Sequence, residues 1–298
     1  MTDYLRGYAA ASVPGIRLVC KHVLANGPAT TSEIRDALRP TDLMPGAEGE
    51  GATLPASLEV AKDIELLTND GGKRDPVWSP GSRLETLDFA QDVLQTAYAF
   101  RPVILQSVSK TALKLTSDEQ RPSDVSVAMT WVLSRDPLRP LRWDYGGLES
   151  TLKAEGMSDV IDTAEQWRSF RRWFTALGLG TALRAPRNRT MLSVSTASAI
   201  CGAGIQTQGP MPARDFISSL LGTVPILGHP SLLSQLPPVA KRGWGGVVSP
   251  AVAQGLLELE AMNSLRMLPG DDSEAVVGLV VGGESRAVRS IEWLGEGR

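Results

Sequence analysis

Residues 14–40 read "PGIRLVCKHVLANGPATTSEIRDALRP", and their spacing writes two helices with a turn between them. Ile16, Val19, Val23 and Leu24 share one helical face, and the pattern stops at Gly27. Thr30 with Glu33 three residues later is a capping box, in which each side chain satisfies the other residue's orphan backbone N–H. Ile34, Ala37 and Leu38 follow, and Pro40 closes the second helix. Beyond a Gly/Pro-rich loop, "ASLEVAKDIELLTNDGG" (56–72) sets Val60, Ala61, Ile64 and Leu67 at helical spacing. A turn at Asn69 to Gly72 leads into "VWSP" (77–80), a short strand. Three helices, a turn and a strand predict a winged helix.

The C-terminal part repeats that plan more loosely. "PARDFISSLLGTVPIL" (212–227) is a helix that breaks near Pro225, and "PSLLSQLPPVA" (230–240) is a short proline-bounded piece. In "SPAVAQGLLELEAMNSL" (249–265), Ser249 is the N-cap, Pro250 takes the first helical position, and Val252, Leu256 and Leu259 face inward. Two strand-like runs around Gly282-Gly283 signal a hairpin, a candidate wing. The middle reads as mostly helical, with helices in 82–100, in 123–137 up to Pro137, and in 163–180, running out at Gly178 and Gly180. Residues 190–210 are rich in small side chains and carry no clear period. The expected fold is mainly α (α+β), with a winged-helix-like unit at 1–80, a helical central domain at 81–208 and a second winged-helix-like unit at 209–298 ending in a β-hairpin.

A chain of 298 residues with 42% hydrophobic and 21% charged side chains is globular. The opening "MTDYLRGYAAASVPG" has no sustained apolar core, and no run approaches the roughly 18 residues a membrane helix needs, so a soluble, cytoplasmic protein is expected without membrane contact. Cys20 and Cys201 stand far apart without a CxxC partner and read as buried thiols. A formal net charge of -3 removes the usual prior for a nucleic-acid binder, although a local patch can act where net charge does not.

The inventory for catalysis is poor. His22 lies within the first helix and reads as structural; His229 lies in the turn "LGHPS" and reads as exposed. GxxxxGK[ST] and GxSxG motifs are absent from the sequence. "ICGAGIQTQG" offers Gly202 and Gly204, but Thr207 stands at the third fingerprint position and Pro210 interrupts any following helix. The acidic "GDDSE" (270–274) lacks the spaced ligands of a calcium loop and reads as a solvated turn. No catalytic residue, metal or cofactor is expected.

Winged helices commonly place the third helix in the major groove and basic residues of helix and wing on phosphates. Here the third helix of the first unit exposes Glu59, Lys62, Asp63 and Glu65, and that of the second exposes Gln254, Glu258 and Ala261. Carboxylates near phosphates weaken binding, so both faces suit protein contacts better. Lys73 and Arg74 in the first turn are better placed, though Asp70 and Asp75 flank them. The strongest basic stretch is central: "WRSFRRWFTALGLGTALRAPRNR" (167–189) holds six arginines and no acid. Trp167, Phe170, Trp173, Phe174 and Leu177 gather on one helical face as core, while Arg168, Arg171 and Arg172 project from the other. Arg184, Arg187 and Arg189 follow in a loop marked by Pro186 and extend the positive surface. Its bland reading is a solvated face; its functional reading is phosphate binding or docking on an acidic partner, both of which suit arginine's bidentate geometry.

Trp167, Phe170 and Trp173 followed by Leu177 to Gly180, with "MTWVLSRDP", "VPIL" and "VSPAVAQGLLELEAMNSLRML", resemble DpdG, an accessory protein family of bacterial gene clusters that insert deazaguanine bases into DNA and restrict foreign DNA. The likeness runs along nearly the whole chain on core-type positions, and no catalytic motif is part of it. It implies a defence or DNA-modification context and a non-enzymatic role. The expectation is a winged-helix adaptor that assembles with other subunits of a DNA-processing complex, with double-stranded DNA as a second partner at the central arginine face. The alternative is a direct DNA-binding protein or transcriptional repressor.

Overall fold

The computed structural model describes residues 3–38, 52–72, 74–85, 97–205, 207–241, 248–270 and 276–295. The chain is α+β, with helices around three small antiparallel sheets. The N-terminal set is α1 (Val13–Asn26), β1 (Ala29–Thr30), α2 (Thr31–Leu38), α3 (Thr53–Asp63), β2 (Leu67–Asn69) and β3 (Val77–Pro80), its strands ordered β1-β3-β2. The caps explain why the helices start where they do. Ser12 Oγ accepts from Gly15 N at 3.2 Å, and Thr30 and Glu33 form the reciprocal box, Glu33 N to Thr30 Oγ1 at 3.1 Å and Thr30 N to Glu33 Oε2 at 2.7 Å.

After α4 (Ser82–Glu85), the long α5 (Ala97–Ser117) continues well past Phe100, where the sequence pattern ends. Pro102 sits only in the second turn, so it removes one early hydrogen bond and leaves the rest of the helix intact. Residues 86–96 of the helix expected in 82–100 lie outside the described residues.

The middle is not simply helical. It runs α6 (Asp124–Ser134), β4 (Leu141–Arg142), α7 (Glu149–Ala154), α8 (Ala164–Ala176), β5 (Gly180–Ala185) and β6 (Arg189–Val194), with strand order β4-β6-β5. Residues 180–194 were expected as a loop and an unassigned stretch; they pair as a hairpin from Gly180↔Val194 to Ala185↔Arg189. The three residues between the strands turn with Arg187 and Asn188 left-handed, φ 62° and 58°.

The last set is α9 (Ala197–Gly202), β7 (Met211–Pro212), α10 (Ala213–Thr223), α11 (Pro230–Leu233), α12 (Pro250–Ala261), β8 (Leu265–Pro269), β9 (Val277–Val281) and β10 (Glu284–Trp293). Short 3-10 turns at Pro225–Leu227 and Pro238–Lys241 flank α11. Ser249 caps α12 and Pro250 opens it, as the sequence indicates. Strand order is β7-β10-β8, with β9 also on β10 through the Gly282-Gly283 turn. Of "GDDSE", only Gly270 is among the described residues.

The same plan therefore occurs three times, with one added helix (α11) and one added strand (β9) in the last set: helix, strand, helix, a last helix, then strands of which the final one pairs between the first strand of the set and the strand that follows the last helix. Local hydrogen bonding repeats with it. The last helix of each set ends in a Schellman turn, in which Leu66, Leu179 and Ser264 donate to the carbonyls of Ala61, Phe174 and Leu259. The residue before each donor, Glu65, Gly178 and Asn263, is left-handed at φ 62°, 73° and 56°. The residue after each final strand, Gly81, Ser195 and Leu294, then donates to the carbonyl of Leu66, Leu179 and Ser264.

One apolar core runs through all three sets. The spine α5 packs on α1, α6, α9, α11 and the Pro225–Leu227 turn, so it touches each set. Polar ties reinforce these contacts: Leu5 N donates to Asp124 Oδ2 at 2.9 Å, Gln106 to Gly202 O at 3.1 Å, and Thr196 Oγ1 to Ala251 O at 2.7 Å. Among the described residues no helix is long and apolar enough to cross a membrane.

Candidate nucleic-acid interface

Helix α8 is held by its aromatic face. Trp167, Phe170, Trp173 and Phe174 are each 0% exposed, with Leu177 beside them. Phe170 stacks between neighbours at 5.2 and 5.3 Å, and Tyr4 stacks on Trp173 at 6.2 Å. Thr163 Oγ1 caps the helix by accepting from Gln166 N at 3.2 Å, while Gln166 accepts from Asp162 N at 2.7 Å. The aromatics are core, as their spacing indicates.

The three arginines on the other side of α8 do not act alike. Arg168 is exposed and has no hydrogen-bond or ion-pair partner among the described residues. Arg171 is half-buried with its guanidinium 4.3 Å from the centre of the Trp143 ring, and burial, with Arg168 beside it, lowers its pKa. In the two sibling helices the residue seven positions before the left-handed turn is a buried leucine, Leu58 or Leu256; in α8 it is Arg171. A planar cation over an indole thus fills a core-like slot. Arg172 is exposed along part of its length but donates to the carbonyl of Ala9, which also accepts from Ser169 Oγ at 3.2 Å. Arg171 and Arg172 therefore project from the polar side of the helix but are held there, because Trp143 and the N-terminal segment at Ala9 meet them.

Arg184, Arg187 and Arg189 all belong to the β5–β6 hairpin, not to an irregular loop, and all three are exposed. Arg184 pairs in register with Thr190 and Arg189 with Ala185, so the two arginines leave opposite faces of the ribbon and Arg187 sits at its apex. None has a hydrogen-bond or ion-pair partner among the described residues. Asp144, two residues after β4, is bound to Arg142 at 2.9 Å and to Gly147 N, and its pKa is lowered first by that arginine.

In the outer sets most of the basic residues near the corresponding surfaces sit beside acids, although Arg289 on β10 is exposed without an ion-pair partner among the described residues. Lys62 lies 3.8 Å from Glu59 on α3, and Glu65 is shared by Arg83 at 3.1 Å and Lys114 at 3.0 Å. Arg74 is exposed in the β2–β3 turn at the edge of a cleft of about 400 Å³ that Glu59 also lines; Lys73 lies outside the described residues. Asp70 in that turn accepts from Gly72 N and Val77 N, and Asp75 accepts from Ser32 N at the start of α2, so both acids are engaged by backbone N–H groups. On the C-terminal side Glu258 accepts from Ser195 Oγ at 2.7 Å, and Glu260 holds Arg286. The structure thus gathers Arg184, Arg187 and Arg189 on one element adjoining α8 and leaves Arg74 on a different sheet.

The two histidines and two cysteines lie in separate surroundings. His22 Nδ1 faces Asn26 Nδ2 at 3.3 Å within α1. His229, half-buried rather than exposed, caps α11 by accepting from Ser231 N, and burial lowers its pKa. Cys20 is fully buried, which raises its pKa, and Cys201 is half-buried. Among the described residues no group of three His, Cys, Asp or Glu side chains could hold a metal ion.

The family model for DpdG-like proteins matches residues 7–273. The chain belongs to the DpdG-like family. This membership covers all of the first and central sets and most of the last, and it is consistent with a role in a DNA-modification or defence system. No curated protein and no solved structure matches the chain.

Proposed function

We propose that this DpdG-like protein is a non-catalytic adaptor of a bacterial DNA-modification or anti-phage complex, built from winged-helix units and holding that complex on double-stranded DNA through its central arginine surface. The carrying observation is the contrast between the three sets: one plan, with the basic residues of the outer sets mostly beside acids or in ion pairs, and a cluster of three exposed arginines without ion-pair partners among the described residues in the middle. Unpaired arginines suit phosphates, whereas faces such as Glu59 and Glu258 suit protein neighbours. Engagement of both histidines within their own helices supports the absence of a catalytic step.

Co-elution with the proteins encoded beside it, by size-exclusion chromatography of the co-expressed set, tests the adaptor role. A stable complex is expected, and a chain that elutes alone beside every such protein would sink it. A repressor is the second reading, favoured by the free Arg168 on α8. It requires one duplex sequence to outcompete unrelated duplexes by the large factors typical of specific binders, roughly a thousandfold or more. Equal competition by all duplexes would leave the adaptor.

A further inference from the structure

We infer that the β5–β6 hairpin is the phosphate-binding wing of the protein, that Arg184, Arg187 and Arg189 at its tip carry the salt-dependent part of duplex DNA binding, and that the turns of the outer sets do not. This rests on the DNA contact proposed above and assigns it to one element. Sequence order alone spreads the six arginines over a helix and a loop; the fold divides them. Arg171 and Arg172 are used internally, on Trp143 and on the Ala9 carbonyl. What remains is Arg168 on the exposed edge of α8 and three cations on a ribbon tip.

The shape of that tip argues for a nucleic-acid groove. Cations leave both faces and the apex of a two-stranded ribbon, so a phosphate wall on either side finds a guanidinium, which a single flat acidic patch would not require. The ribbon follows α8 directly through Leu177 to Leu179, so tip and helix edge are held by one rigid turn. Exposed Ala182 and Leu183 on β5 keep the tip clear of neighbouring elements. In the outer sets Arg74 shares its turn with Asp70 and Asp75, and Arg286 of the last hairpin is bound to Glu260.

The test is fluorescence anisotropy of a labelled DNA duplex titrated with the full chain from about 50 to 200 mM salt, comparing wild type, the combined variant R184Q/R187Q/R189Q and R74Q. Each lost phosphate contact lowers the slope of log affinity against log salt by about 0.9, so the triple variant is expected to lose about 2 to 3 in slope, with R74Q unchanged. Thermal melting of the triple variant should match wild type, since these side chains are exposed and have no hydrogen-bond or ion-pair partners among the described residues. Wild-type binding that the triple variant retains in full, or an equal loss in R74Q, overturns the hairpin assignment while leaving DNA contact standing. No wild-type binding at about 50 mM salt overturns both. If co-elution with a neighbouring protein is then abolished by the same triple variant, the tip is a protein-docking element instead.

Discussion

Trp173 is fully buried, with the Tyr4 ring stacked on it from the N-terminal segment. Its truncation to alanine is expected to cost about 3 to 5 kcal/mol, as for buried aromatics generally, read as a lowered midpoint in urea melting. A wild-type midpoint would mean that α8 faces the other way. Asp124 gives a pH signature from the same junction. It is 0% exposed, and burial pushes its pKa up to about 6 although Leu5 N and Val125 N donate to it. Because the folded value lies above the unfolded one, the native state keeps this proton longer. Its contribution to stability is fully present below about pH 3.8 and is lost as pH rises through about 6. At about 1.4 kcal/mol per tenfold change in proton affinity, the gap between Asp124→Asn and wild type should move by about 2 kcal/mol in the variant's favour between pH 4 and 7. A constant gap in paired melting curves would show that Asp124 titrates normally. Arg171 and Arg168 should also part company. Arg171→Glu places a carboxylate against the Trp143 face and should destabilise measurably, by about 1 to 3 kcal/mol, whereas Arg168→Glu should stay within about 0.5.

At the scale of elements, the first and last helices of a set approach closely where a side chain is missing. In the C-terminal set a Cβ on Gly255 of α12 would lie 2.2 Å from Thr196 Oγ1 and 3.1 Å from Ala197 N, at the start of α9. Gly255→Ala therefore gains helix propensity but overpacks this contact, and a net loss of about 1 to 3 kcal/mol is expected in thermal melting. An unchanged or raised melting temperature would show that α9 shifts freely. The capped elements were legible in the chain: the Thr30–Glu33 box, the Ser249-Pro250 start and the Gly282-Gly283 turn all stand where their residue types require. The central hairpin was less so. Its turn, Pro186-Arg187-Asn188, holds no glycine, and two of its residues take left-handed backbone at a cost that only the surrounding pairing repays. Its strand β5 is exposed along most of its length, so it lacks the apolar alternation by which a half-buried strand announces itself.

For the whole molecule, the spine α5 contacts every set, and buried residues from Tyr4 to Ile291 form a continuous core. Unfolding in urea followed by tryptophan fluorescence and by far-ultraviolet circular dichroism should give coincident transitions. Two separated transitions would show that one set folds independently of the others. Sequence by itself determined the α+β class, the boundaries of the capped helices, the aromatic core face of α8, and the location of the basic stretch in a chain of net negative charge. Those features are local, set by hydrogen-bond chemistry within a turn and by the 3.6-residue period. Only the tertiary structure decided that one plan occurs three times, because strand order and the bond from Gly81, Ser195 or Leu294 to its partner carbonyl join residues remote in sequence. It alone also decided which arginines are free. A guanidinium is held or left exposed by what packs beside it, and Trp143 and Ala9 come to α8 from elsewhere in the chain.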